Sequence, residues 1–157
     1  MKKFSELKVG DEFFSEGRIS LPDLENYLAF SGIKNILYES NETTNKEKTT
    51  AKIISGRAIL GRMEGEFTRL KEMYGNLLNF YGMDGEPSWN GRHARFLKSL
   101  YADEKLRMKF KISEKTDLNE DFGLLAVDFE GSKENGDLVV ISKRSLYQIK
   151  KDPPVSQ

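Results

Sequence analysis

With 157 residues and no stretch that reads as a second compact unit, the chain is sized for one domain around one core. Its 25 Lys+Arg balance 25 Asp+Glu, so no net field draws it to nucleic acid or to an anionic membrane. The absence of cysteine removes disulfides, thiolate nucleophiles and thiolate metal ligands, and the single His93 leaves little from which to build an imidazole metal site.

The N-terminus, MKKFSELKVGDEFF, has two lysines without an apolar segment behind them, and nowhere do about 18 apolar residues run together. A soluble cytoplasmic protein is the expectation. Asp11 to Ile19 reads as a first strand. Ser20-Leu21-Pro22-Asp23 then combines an N-cap, a proline in the first turn and an acid beside the positive helix end, opening a short helix to about Phe30. Leu24, Tyr27, Leu28 and Phe30 would form its apolar face, and Ser31-Gly32 stops it. Asn41 to Thr50 contain no apolar side chain and read as an exposed, mobile connection.

After Gly56 comes the clearest helix, because Leu60, Met63, Phe67, Leu70 and Tyr74 recur at spacings of three and four. Gly61 and Gly65 lie within it. Each costs ~1 kcal/mol relative to alanine, which implies that a sheet or a ligand packs very close to that face. Leu77 to Tyr81 and Gly91 to Leu97 are short strand candidates. Leu106, Met108, Phe110 and Ile112 alternate with Arg107, Lys109, Lys111 and Ser113, the period of a half-buried strand. Leu125, Val127 and Phe129 continue the alternation, Asn135-Gly136 supplies a hairpin turn, and Leu138 to Ile149 returns. Residues 1–150 read as a single domain and 151–157, with Pro153-Pro154, as a flexible tail. A long helix and several long antiparallel strands make an α+β domain in which a sheet covers a helix. Periodicity does not separate this from other helix-on-sheet folds.

Three segments narrow the choice. FSELKVGDEFFSEGRISLPDLENYLAFSG, Phe4 to Gly32, resembles the opening of the MaoC-like acyl dehydratases and (R)-specific enoyl-CoA hydratases. SGRAILGRMEGEF, Ser55 to Phe67, is similar to their entry into the central helix, with Gly61 matching a glycine that usually follows a histidine and Leu60 standing in the histidine's place. RFLKSLYADEKLRMKFKI, Arg95 to Ile112, resembles the pattern R-F-x-x-P-V-Y-x-G-D-x-L, keeping Arg95, Phe96, Tyr101, Asp103 and Leu106, with Ser99 and Ala102 in place of proline and glycine. The resemblance spans residues 4 to 148 in order. It implies a hot-dog fold, a long central helix wrapped by a curved antiparallel sheet. It also implies a homodimer, or a hetero-oligomer with a related hot-dog chain, binding an acyl-CoA or acyl carrier thioester without a further cofactor. Gly61 would lie near the thioester carbonyl, where helix N-H groups suit a developing negative oxygen. Tight helix-sheet packing is the competing role for that glycine.

The family signature G-D-x-N-P-x-H-x-D is read here as Gly32-Ile33-Lys34-Asn35-Ile36-Leu37-Tyr38-Glu39-Ser40. Gly32 and Asn35 persist, while Ile33 replaces the aspartate and Tyr38 the histidine that together activate water. Isoleucine does not titrate, and a phenol with an ordinary pKa near ~10 is a poor base at neutral pH. Tyr38 and Gly61 are the substrate-binding positions that the resemblance implies, and Arg57 is either a contact for a phosphate of coenzyme A near the helix start or an ordinary surface arginine. Glu39 would be solvated if its segment is extended. His93 precedes the Arg95 strand and reads as a surface residue. Glu64 matches the carboxylate that hot-dog thioesterases of another branch carry on the central helix. Equally, Arg62, Glu64, Glu66 and Arg69 alternate in sign as in a solvated ion-pair face. Tyr38, Phe80, Tyr81 and Trp89 are aromatic candidates for an acyl pocket or for ordinary core.

Two functions remain open on this reading. One is a catalytically degenerate MaoC-like homologue, a non-catalytic subunit or acyl-thioester binding protein. The other is an active hot-dog enzyme with relocated chemistry, a thioesterase using Glu64 or a divergent hydratase using Tyr38 and Glu39.

Overall fold

The computed structural model describes residues 1–39 and 52–153, so the polar run from Asn41 to Thr50 and the end of the expected tail, 154–157, lie outside the described residues. The element order is β1 (Glu12–Arg18), α1 (Leu21–Ser31), α2 (Ile36–Glu39), α3 (Gly56–Arg69), β2 (Leu78–Met83), β3 (Ala94–Phe96), β4 (Lys105–Asp117), β5 (Phe122–Lys133) and β6 (Leu138–Lys150). Among the described residues no helix is long and apolar enough to cross a membrane.

The strands form one antiparallel sheet in the order β1-β4-β5-β6-β2, with β3 also paired to β6. In β4 the two-residue alternation does what it promised: Leu106, Met108, Phe110 and Ile112 are buried, while Arg107 and Lys111 are exposed. Strand β5 buries Leu125, Val127 and Phe129 on the same side. The β5-β6 turn is closed by Gly136 N donating to Lys133 O at 2.9 Å, with Gly136 at φ 96°, a conformation that favours glycine.

Helix α3 lies against this sheet and buries Ala58, Ile59, Met63 and Phe67. The Phe67 ring sits 5.5 Å from Phe110, 5.9 Å from Phe129 and 5.4 Å from Tyr147, so one helical side chain joins three strands. This is the α+β hot-dog arrangement, a central helix covered by an antiparallel sheet. The apolar stripe is shorter than its spacing suggested. The helix ends at Arg69, and Tyr74 lies beyond it, 75% exposed.

Helix α1 starts as its sequence dictates: Asp23 N donates to Ser20 Oγ at 3.1 Å and Ser20 N donates to Asp23 Oδ2 at 3.0 Å. Gly32 closes it at φ 73°, its N-H donating to Leu28 O at 3.0 Å. Leu24 is buried, but Phe30 is 90% exposed and does not belong to the buried face.

Two local readings are corrected. Counted from Arg95 to Leu106, the glycine of the pattern falls on residue 103 and not on Ala102, and Asp103 takes the left-handed conformation there, at φ 72°, before β4. Asp103 therefore occupies the place of the glycine in the x-G-D pattern, and Glu104 that of the aspartate, where its Oε1 accepts from Tyr101 N at 2.8 Å. The segment from Ile36 to Glu39 is a helical turn rather than an extended strand, so the argument from alternation for Glu39 does not apply.

Candidate functional site

Arg57, Leu60, Gly61 and Glu64 follow one another on α3 at intervals of three and four residues, which places them on one stripe of the helix. That stripe faces a cavity of about 260 Å³ between α3 and the sheet, lined on the far side by Phe80 and Met83 of β2, Phe129 of β5, and Ser142, Ser145 and Tyr147 of β6. An added Cβ at Gly61 or Gly65 would meet no atom within 4 Å. Close packing of the sheet therefore does not explain these glycines; Gly61 opens the cavity wall instead.

Glu64 is the acidic group of this cavity, and Tyr147 Oη donates to its Oε2 at 2.6 Å. Burial, and then the hydrogen bond to Glu64 and its charge, push the Tyr147 phenol above its ordinary value of 10.0. The phenol thus keeps its proton and serves as a fixed donor to a carboxylate. Among the described residues no cation pairs with Glu64. Its sequence neighbours differ. Arg62 donates to Arg18 O at 2.9 Å and to Asp23 Oδ2 at 3.0 Å, while Glu66 Oε2 accepts from Ser15 Oγ at 3.1 Å and Glu66 pairs with Arg69 at 3.6 Å. The sign-alternating run is an ion-paired flank toward β1, and Glu64 is turned away from it.

Ser142 and Ser145 reach the cavity through an irregularity. Residues three apart on a regular strand point to opposite faces. Here the pairing of β5 with β6 shifts between Val127 and Phe129, and Arg144 adopts φ 51°, with its N-H donating to Asp128 Oδ1 at 3.0 Å. The extra residue lets both serines line the cavity, 3% and 5% exposed. Neither hydroxyl has a partner among the described residues.

The positions read from the sequence as the family signature lie elsewhere. Ile33 and Asn35 are exposed, and Asn35 Oδ1 accepts from Leu37 N at 2.9 Å as the cap of α2. Tyr38 is half-buried, its phenol pushed up by burial and then by Tyr27. None of the three lines the Glu64 cavity. The Glu39 side chain and Ser40 lie outside the described residues. His93 is exposed, and of the aromatic candidates only Phe80 lines the cavity; Trp89 instead lies beneath Arg95, 5.6 Å from ring to guanidinium. A second depression of about 530 Å³ opens at the first turn of α3, where Arg57 meets Phe96 and Lys98. It is the larger of the two, but it contains no acidic or hydroxyl-bearing side chain except Ser55 and Ser99. Of the residues singled out in the sequence, Arg57, Gly61 and Glu64 line this cavity. Sequence reasoning missed Tyr147, Ser142 and Ser145, for which β6 carries no motif.

No protein-family model and no curated protein matches the sequence. Solved structures of MaoC-like dehydratases and (R)-hydratases do share its fold. A monoamine oxidase regulatory protein from Archaeoglobus fulgidus superimposes with a TM-score of 0.75 at 17% identity, over 96% of this chain and 95% of that one. A MaoC-like dehydratase from Rhodospirillum rubrum gives 0.67 at 13% identity, over 97% and 99%. The fluoroacetyl-CoA thioesterase FlK gives 0.56 at 11% identity, over 92% and 87%. At these identities the likeness establishes the hot-dog fold, which carries more than one chemistry.

Proposed function

Starting from a hot-dog fold shared with MaoC-like dehydratases, we propose that this chain binds an acyl thioester in the cavity beside α3 and does not hydrate it by an aspartate-histidine pair. The observation that carries this reading is the cavity itself: the central-helix stripe Arg57-Gly61-Glu64 forms one wall, while Ile33 and Tyr38, read from the sequence as the signature positions, do not line it. Arg57 and Lys98 border the adjoining depression at the helix start and suit the phosphates of coenzyme A. Leu77, Phe80, Tyr81 and Met83 are exposed along the edge strand β2 and its approach, a surface that suits a second hot-dog chain. The protein is then a homodimer or a subunit of a hetero-oligomer.

Mixing the protein with crotonyl-CoA tests the reading. Binding without loss of the enoyl absorbance is expected, and rapid hydration would overturn it.

The position of Glu64 favours a second reading, hydrolysis of the thioester. In that reaction Glu64 would take a proton from water as the water oxygen attacks the carbonyl carbon. The C–S bond then breaks and the proton passes to the departing thiolate. Tyr147 would hold the carboxylate in place. Glu64→Gln should abolish thioester hydrolysis; unchanged hydrolysis would eliminate this reading.

A further inference from the structure

We propose that the acyl group accepted by this cavity carries an amine, with the thioester end toward Arg57 and the ammonium against Glu64. The inference rests on the acyl-binding reading above and names its substrate class.

The cavity is electrically polarised along α3. Arg57 and Glu64 are seven residues apart on the same stripe, which sets them about 10 Å apart along the helix axis at 1.5 Å per residue. The first turn adds the partial positive charge of its free N-H groups to that of Arg57. One end of the cavity therefore suits electron-rich oxygen and phosphate, and the other suits a cation.

The Glu64 end is incomplete without a ligand. Oε2 accepts from Tyr147, and neither oxygen has a cation among the described residues. Ser142 and Ser145 line the same space, each residue more than nine-tenths buried, and their hydroxyls have no protein partner among the described residues. An alkyl chain filling the cavity would strip water from three polar groups and return no hydrogen bond to any of them. An ammonium offers three N-H donors and no acceptor. The carboxylate and the two hydroxyls are three acceptors on the cavity wall, so the inventory matches. A cavity of about 260 Å³ accommodates a short aminoacyl chain.

Three isosteric thioesters test the inference with the full-length protein: butyryl-CoA, β-hydroxypropionyl-CoA and β-alanyl-CoA, which end in a methyl, a hydroxyl and an ammonium, titrated calorimetrically against a free coenzyme A baseline. β-Alanyl-CoA is expected to bind about tenfold or more tightly than butyryl-CoA, the advantage of a hydrogen bond to a charged group. Glu64→Gln should shrink that preference to about twofold or less, and Ser142→Ala with Ser145→Ala should reduce it partway, in proteins whose melting curves show them folded. Equal binding of β-alanyl-CoA and butyryl-CoA would overturn the proposal. Equal binding of β-alanyl-CoA and β-hydroxypropionyl-CoA would also overturn it, since a neutral donor would then suffice. If none of the three binds more tightly than coenzyme A alone, the acyl-binding reading itself fails and takes the amine with it.

Discussion

Tyr147 on β6 and Glu64 on α3, 83 residues apart in the chain, are joined by a 2.6 Å hydrogen bond that ties the middle of the central helix to the sheet. The Tyr147 ring also contacts Phe67, Phe80 and Phe129, so the aromatic cluster fixes the donor that orients the carboxylate. Packing and site chemistry share one residue.

Tyr147→Phe keeps most of the ring contacts and removes the donor. Stability should fall by about 1.5–3 kcal/mol, the range for a hydrogen bond to a charged group, read from urea unfolding at neutral pH.

Because the folded state raises the Tyr147 phenol above its ordinary value, its contribution is fully present below about pH 10 and is lost as pH rises through the higher folded value. The wild-type protein should lose stability with rising pH above about 10 more steeply than Tyr147→Phe. Equal alkaline slopes would contradict the assignment. Tyr38, also raised, should ionise above its ordinary value when the tyrosines are titrated by ultraviolet absorbance.

The Ser20-Asp23 capping box makes a prediction at the other end of the pH scale. Backbone and side-chain hydrogen bonds from Ser20, then Arg62, hold the Asp23 carboxyl below its ordinary 3.8. Its contribution is present above that value and is lost as pH falls through the lowered folded value. Asp23→Asn should therefore flatten the acid limb of a melting-temperature profile, and Ser20→Ala should cost about 1 kcal/mol at neutral pH.

Gly61→Ala separates space from packing. With no atom within 4 Å of the new methyl, the helix should gain up to ~1 kcal/mol, while the methyl narrows the cavity. A higher melting temperature together with weaker acyl-thioester binding is the expected pair of results, and a large loss of stability would restore the packing explanation.

Asp103 holds φ 72°, which a glycine adopts more easily. Asp103→Gly should leave stability unchanged or raise it by up to ~1 kcal/mol, whereas Asp103→Val should lower it by at least ~1 kcal/mol, both measured by thermal unfolding.

Signals that act over a few residues are legible in the sequence itself. The alternation from Leu106 to Ile112 specifies a half-buried strand, because a two-residue period leaves each side chain one face. The Ser20-Asp23 box specifies a helix start, because its donors and acceptors lie three residues apart. The motif order from Phe4 to Ile112 points to the hot-dog fold that the chain adopts. On α3 the spacing of Arg57, Gly61 and Glu64 puts them on one side of a helix. Which side meets the sheet, the ion-paired flank or the cavity, does not follow from spacing.

The polar half of the candidate site was decided by tertiary structure alone. Regular alternation sends Ser142 and Ser145 to opposite faces, and only a register shift against β5, held by Asp128 and the left-handed Arg144, turns both inward. Tyr147 reads in the chain as one more strand aromatic; it becomes the partner of Glu64 because β6 passes beneath α3. Local periodicity assigns a residue to a face, since that depends on neighbours a few bonds away. A site assembled from a helix and a bulged strand depends on contacts more than eighty residues distant, which no local pattern encodes.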